Sequence, residues 1–263
     1  MRSKWIAILL IVLSCRKETF QDVSIIGHGG NGLTIHNSIY QANTLESIEL
    51  ALGTEGVEGV EIDLQIDLDG ELWMLHDDYL EIETNGQGCI PNYTTSELEG
   101  IRFKSIHKER LRKFRELNFE TYTGKRLYLD VRHYNACLGQ VVDVNRVLNA
   151  LEFFVNTYSN IHFVFIINNK SWLNNFKTKN WKVICEIEGF EEVGIVNTYL
   201  TNYDGIAIRN SSISSDQVQL IKQSGKKVYI FDLRSAKSIR KAFQKNPSGI
   251  LVDDIKIALA IQN

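Results

Sequence analysis

The sequence predicts a (β/α)8 barrel with a small insertion after the second strand. Three observations carry that expectation. From about residue 22 to 263, eight short β-rich apolar runs alternate with helical or polar stretches. Runs of this kind are buried on both faces, and strands alternating with helices imply a parallel sheet. Eight such units in about 240 residues suit a closed barrel better than an open sheet. No low-complexity linker interrupts them and the chain holds two prolines, so one large domain over 22–263 is expected.

The first strand is VSIIG (23–27), and the helical NTLESIELAL (43–52) follows after a polar loop, with Asn43 placed as its cap. The second, GVEIDLQ (59–65), leads into residues 66–125, too long for one βα loop and therefore an insertion. Asp69-Gly70 inside it reads as a hairpin turn. RLYLDV (126–131) precedes VVDVNRVLNALEFFVNTY (141–158), IHFVFII (161–167) precedes SWLNNF, and WKVICEI (181–187) precedes FEEVGIVNTYL. YDGIAI (203–208), KKVYIFDL (226–233) and SGILVDD (248–254) complete the set, each with a helical run behind it.

The amino terminus is different in kind. MRSKWIAILLIVLSC has a basic start at Arg2 and Lys4, an apolar run from Trp5 to Leu13, then Ser14-Cys15. The apolar run is too short to span a bilayer and reads as a secretory signal. A small residue directly before a cysteine resembles the lipobox of bacterial lipoproteins, in which that cysteine is lipidated and becomes residue one. The resemblance implies a signal peptide over 1–14, a lipidated Cys15 with a short linker to residue 21, and an exported protein anchored to the cell envelope, in periplasm or outer membrane, by that lipid alone. Loss of residues 1–14 removes Arg2 and Lys4 and takes the formal charge from −3 to −5. A mildly acidic chain without a Lys/Arg block gives no sign of nucleic acid as a partner. Cys89, Cys137 and Cys185 then remain, irregularly spaced and without a Cys-x-x-Cys pair, so at most one disulfide forms and a zinc site is not expected.

The chemistry concentrates in EIDLQIDLDGELWMLHDD (61–78). Residues i and i+2 of a strand share a side, so Glu61 and Asp63 project together, and two buried carboxylates repel. Barrel active sites lie at the carboxyl ends of the strands. His28 stands just past strand one, Glu61 and Asp63 toward the end of strand two, and Asp130 at the end of strand three. Three carboxylates meeting at one mouth call for a cation between them, and oxygen ligands alone favour Mg²⁺ or Ca²⁺. QIDLDG is no calcium loop, because Gln65 and His76 would hold its first and twelfth ligand positions. GHGGNG (27–32) fits Gly-x-Gly-x-x-Gly, but LTIHNSIYQA intervenes before any helix, against dinucleotide binding.

Taken together and in order, GHGG, ANTLESIELAL, GVEIDLQIDLDGELWMLHDD, TTSELEGI and LYLDVR resemble the glycerophosphodiester phosphodiesterases, and KKVYIFDL with SGILVDD is similar to that family's last strands. The resemblance spans nearly the whole mature chain and is densest over 25–100. It implies a (β/α)8 barrel that binds one divalent metal and hydrolyses a small-molecule phosphodiester to an alcohol and glycerol phosphate. Position by position, it gives Glu61 and Asp63 as metal ligands and Asp130 as the third, where the family usually has Glu. His28 and His76 match the two acid–base histidines, and Arg132 stands where a lysine usually faces the phosphate. His36, His107, His133 and His162 have no such context.

The chain departs from the family in places. Gly29 replaces the arginine of His-Arg-Gly, Ala42 replaces the glutamate of Glu-Asn-Thr, and Phe231-Asp232 replaces a tryptophan-containing run. These losses thin the phosphate grip, and the backbone N–H groups of Gly29, Gly30 and their neighbours are expected to compensate as an anion nest. The competing expectation is a catalytically degenerate lipoprotein that binds a phosphorylated or sugar ligand without cleaving it.

Overall fold

The structure is a computed structural model that describes residues 20, 22–33, 39–199 and 203–263. The expected signal peptide, the linker except for Phe20, and the expected lipid site Cys15 lie outside the described residues, as does His36. Eight parallel strands form the barrel: β1 Ser24–Gly27, β2 Val57–Ile66, β3 Arg126–Val131, β4 His162–Ile167, β5 Lys182–Ile187, β6 Gly205–Arg209, β7 Lys227–Phe231 and β8 Gly249–Val252. Each pairs with the next, and β1 pairs with both β2 and β8, which closes the ring. All eight expected strands are present.

Strand β2 shows why the fold needs both faces of each strand. Ile62 and Leu64 point outward into the layer packed by the helices, while Glu61 and Asp63, one step out of phase, point inward. The interior below them is packed by Ile26, Tyr128, Val164, Ile184, Tyr229 and Leu251 among others. The outer layer carries helices α1 Leu45–Leu52, α2 Val144–Thr157, α3 Leu173–Thr178, α4 Glu192–Tyr199, α5 Ser215–Gln223, α6 Ala236–Gln244 and α7 Ile255–Gln262. After β2 the insertion takes the helix's place, and two 3₁₀ turns, Phe114–Glu116 and Phe119–Tyr122, pack Phe114 and Phe119 on Phe154 of α2.

The insertion is a small unit with its own core. Its strand Leu72–Met74 pairs antiparallel with β2 around Asp69-Gly70, where Gly70 has a φ of 92°, as a tight hairpin requires. Trp73, Leu75, Leu80, Ile90, Leu98 and Phe103 bury one another, and the Trp73 indole N–H donates to Asp67 Oδ2 at 2.8 Å. A disulfide between Cys89 and Cys137 ties this unit to the loop after β3, beside an Asn135 Nδ2 to Asn92 Oδ1 hydrogen bond of 2.7 Å. Cys185 stays a buried free thiol. One expectation fails here. Helix α1 is capped by Thr44, whose Oγ1 accepts from the Ser47 N–H at 3.2 Å, rather than by Asn43.

The disulfide closes a segment of 48 residues. In a chain-entropy account such a link stabilises by roughly 4 kcal/mol. Replacing Cys89 and Cys137 together by Ser should lower the melting temperature by on the order of 10 °C. An unchanged midpoint in a thermal melt would show that the insertion is held by its packing alone.

Candidate active site

At the carboxyl end of the barrel a cleft of about 300 Å³ is lined by His28, Glu61, Asp63, His76, Asp130 and Arg132, with Glu186, Arg209, Phe231, Asp232, Arg234 and Asp253 around them. Strand register brings the acids together. Asp63 on β2 is the direct partner of Asp130 on β3, and Glu61 lies one inward position below Asp63. One ligand oxygen from each of the three lies within 4.8 Å of the others. They are 2 %, 1 % and 7 % exposed respectively.

The surrounding groups decide how such charges coexist. Arg132 donates from Nε to Asp63 Oδ1 at 3.2 Å, and its terminal nitrogen reaches both Asp63 and Asp130, the latter at 3.3 Å. Asn43 has a φ of 60°, a left-handed conformation that Asn tolerates. There it clamps Asp63 twice, donating Nδ2 to Oδ2 at 2.7 Å and accepting the Asp63 N–H at 3.0 Å. Burial works to raise the Asp63 pKa, but Arg132, His76 and the hydrogen bonds from Arg132 and Asn43 outweigh it and hold the carboxyl at about 2. Asp130 goes the other way. Burial raises it to about 7, and the Glu186 and Asp63 charges add to the rise that Arg132 opposes. Glu61 is raised well above the usual carboxylate range by burial, then by Asp63 and Asp130.

Asp130 Oδ1 is buried and has no hydrogen-bond partner among the described residues. A buried acceptor left bare is costly. An all-oxygen set of three close acids with one unsatisfied oxygen fits a hard divalent cation. These residues can therefore hold one.

Both histidines are oriented by carboxylates on Nδ1, which leaves Nε2 for a proton transfer. His28 Nδ1 lies 2.9 Å from Asp253 Oδ1, and its Nε2 is 4.0 Å from Glu61 Oε2. His76 Nδ1 lies 2.8 Å from Asp77 Oδ1. The segment carrying His76 is pinned on both sides by Gln65, whose Nε2 donates to the Leu75 carbonyl at 3.0 Å and the Asp77 carbonyl at 2.8 Å.

The expected anion nest is not formed. The Gly29 N–H donates to Glu61 Oε2 at 2.8 Å, Gly30 to the Glu61 carbonyl at 3.2 Å, Asn31 to Ser47 Oγ at 2.8 Å and Gly32 to the His28 carbonyl at 2.9 Å. The loop spends its donors on the protein, and Gly29 and Gly30 position Glu61. Gly30 must be glycine, since a Cβ there would lie 2.7 Å from Ser47 Oγ and 2.9 Å from the Ile48 nitrogen. Arg132, expected to face the phosphate, is turned to Asp63 and Asp130. Of the histidines set aside, His133 packs against Trp172, His107 lies near Tyr40, and His162 sits at the far end of the barrel.

The sequence reading missed Asn43 as a ligand clamp, and it missed Asp253 and Glu186. The last two carried a usable signal. Glu186 is a charge inside the apolar run WKVICEI, and Asp253 is an acid at a strand's carboxyl end, the same marks that singled out Glu61 and Asp130. Glu83 of the insertion, whose Oε1 accepts from Gln41 Nε2 at 3.1 Å, is raised to about 8 by burial, then by Asp77 and Asp63, and nothing local in sequence marks it.

Comparisons with known proteins point to one family and one fold. The model of the glycerophosphoryl diester phosphodiesterase family matches residues 28–161. A glycerophosphodiester phosphodiesterase of Bacillus altitudinis is 40 % identical over 71 residues, 27 % of this chain and 29 % of that protein. Another, from Caldanaerobacter subterraneus, is 30 % identical over 83 residues, 30 % of this chain and 32 % of the relative. The matched stretches thus span less than a third of those relatives' own length. An Oleispira antarctica phosphodiesterase, solved with the product sn-glycerol-3-phosphate, superposes with a TM-score of 0.73 at 20 % identity, covering 90 % of this chain and 96 % of that one.

The raised Asp130 pKa has a consequence for stability without metal. A carboxyl whose folded pKa of about 7 exceeds its ordinary 3.8 contributes stability that is complete below 3.8 and lost as pH rises through 7. In chelator, the melting temperature of the wild type should therefore fall between about pH 4 and 7 and level off above. Asp130→Asn should flatten that fall by several degrees, with Asp63, already ionised throughout, adding no slope there. Parallel curves for the two proteins would rule out the assignment.

Proposed function

The chain belongs to the glycerophosphoryl diester phosphodiesterase family, and from that premise we propose that its cleft hydrolyses a glycerophosphodiester to an alcohol and glycerol phosphate. One observation carries the proposal: three buried carboxylates and two carboxylate-oriented histidines converge on a single cleft at the catalytic end of the barrel.

The reaction sets the demands. A phosphodiester is anionic and repels nucleophiles, and its alkoxide leaving group is strongly basic. Glu61, Asp63 and Asp130 would hold one Mg²⁺ or Ca²⁺, which when bound supplies positive charge to the phosphoryl oxygens. Arg132, anchored by Asp63 and Asp130, adds a fixed positive charge at the same place. His28, with Nδ1 engaged by Asp253, takes a proton at Nε2 from the nucleophile, either water or the substrate's own glycerol hydroxyl, the latter giving a cyclic phosphate that water then opens to glycerol phosphate. His76 delivers a proton from Nε2 to the departing oxygen. Each transfer is worth ~10²–10⁴-fold.

A second reading, a binding protein without turnover, draws on Gly29 and Ala42, where the family carries an arginine and a glutamate. The two positions adjoin: a Cβ built on Gly29 lies 2.9 Å from that of Ala42. Neither position carries a charge in this chain, so no buried ion is left unpartnered there. An assay on a panel of glycerophosphodiesters decides between the readings: chelator-sensitive release of glycerol phosphate supports hydrolysis, and ligand binding without turnover supports the second.

Export and a lipid anchor at Cys15 complete the proposal. The Cys89–Cys137 disulfide supports them, because such links persist in oxidising compartments.

If the acids hold a metal, Mg²⁺ or Ca²⁺ should raise the melting temperature, by about 2.7 kcal/mol of stability at a hundredfold excess over Kd. Glu61→Ala with Asp63→Ala should abolish the shift, and an equal shift in that variant would place the ion elsewhere. The histidine roles separate by leaving group. His76→Ala should lose ~10²–10⁴-fold on an alkyl diester and far less on a nitrophenyl diester, whose leaving group needs no proton. His28→Ala should damage both alike; the opposite pattern would exchange the two roles.

A further inference from the structure

The barrel's amino-terminal end, opposite the cleft, holds a second hollow of about 840 Å³. Its charged lining is Arg126, Lys182, Lys226 and Lys227, with His162, against one carboxylate, Asp204. Asp204 is already committed, accepting from Lys177 Nζ at 3.0 Å, Lys182 Nζ at 3.2 Å and the Val183 N–H at 2.8 Å. Arg126 pairs with Glu58, and Lys226 donates to the Tyr203 carbonyl at 2.6 Å. Lys227 is exposed and has no ion pair among the described residues, and Lys182 is 72 % exposed. Around this hollow four basic side chains thus stand with two carboxylates, Asp204 and Glu58, in a chain of net charge −3.

The amino-terminal segment enters at that same end. The Phe20 N–H donates to the Gln262 carbonyl at 3.3 Å, and the Phe20 ring stacks on Phe243 with centroids 5.1 Å apart. Gln262 and Phe243 lie in the last turns of α7 and α6, which run back from the cleft end. Cys15 stands five residues before Phe20, and five residues reach at most about 17 Å.

We propose that the amino-terminal end of the barrel docks on an anionic membrane, its cations engaging lipid phosphate headgroups while the cleft faces away into water. Tethering rests on the lipid-anchor reading above; the charge complementarity does not.

The test uses the unlipidated barrel from residue 16 onward, which closes on itself from Ser24 to Val252 without the preceding residues. Sedimentation with vesicles of phosphatidylcholine, alone or with about a third phosphatidylglycerol, should show binding to the anionic vesicles only, decreasing with added salt. Lys182→Glu with Lys227→Glu should weaken that binding roughly 20-fold or more and leave turnover of a soluble diester intact. Lys108→Glu, on the insertion, should change neither. Equal binding to both vesicle types, or none to either, overturns the proposal. So does calorimetric binding of inorganic phosphate at the hollow without vesicle binding, which would make it a free-anion site. Fatty-acid labelling of the full chain, with Cys15→Ala as its control, is scored separately: its absence removes the anchor and leaves the vesicle result to decide the docking face.

Discussion

Three carboxylates within 4.8 Å of one another, buried at the floor of the cleft in a closed barrel, are the constraint around which this molecule is arranged. Left alone they would neutralise by taking up protons, as Glu61 and Asp130 tend to. Asp63 escapes that fate because a forked guanidinium and a bidentate asparagine hold its charge. Arg132 can serve Asp63 and Asp130 at once since its donors are spread across a plane, which an ammonium's are not. Breaking a buried pair of this kind costs roughly 3–5 kcal/mol, so Arg132 is as much a structural residue as a functional one.

The rest of the cleft follows from anchoring groups to different layers. His28 is set by Asp253 on the neighbouring strand of the closed ring, joining the first and last strands' ends. His76 belongs to the insertion and is held by Gln65 of β2 on both flanks. The insertion's own core and its disulfide keep that segment from drifting. The two histidines therefore reach one cleft from independent supports, the kind of pre-organisation that separate acid and base roles require.

The two ends of the barrel also differ in charge logic. The carboxyl end collects acids and pairs them. The amino-terminal end collects lysines around a hollow with one acid that is already taken. Such polarity does not come from the barrel architecture, whose strand ends could carry either sign. It belongs to this chain.

The fold and the metal-competent acids were legible in the sequence because both rest on local rules. Period-two alternation puts Glu61 and Asp63 on one side of a strand, and eight alternating units imply the closed ring that sends strand ends to a common mouth. What tertiary structure decided is who neutralises whom. Asn43, seen as a helix cap, became the clamp on Asp63 because a left-handed backbone turned it toward β2. The Gly29–Gly32 donors, free to face a ligand in a linear reading, were taken by Glu61, Ser47 and His28. Asp253 met His28 across 225 residues, a separation no local pattern encodes. A strand's periodicity fixes where a side chain points; only the closed barrel fixes what it meets there.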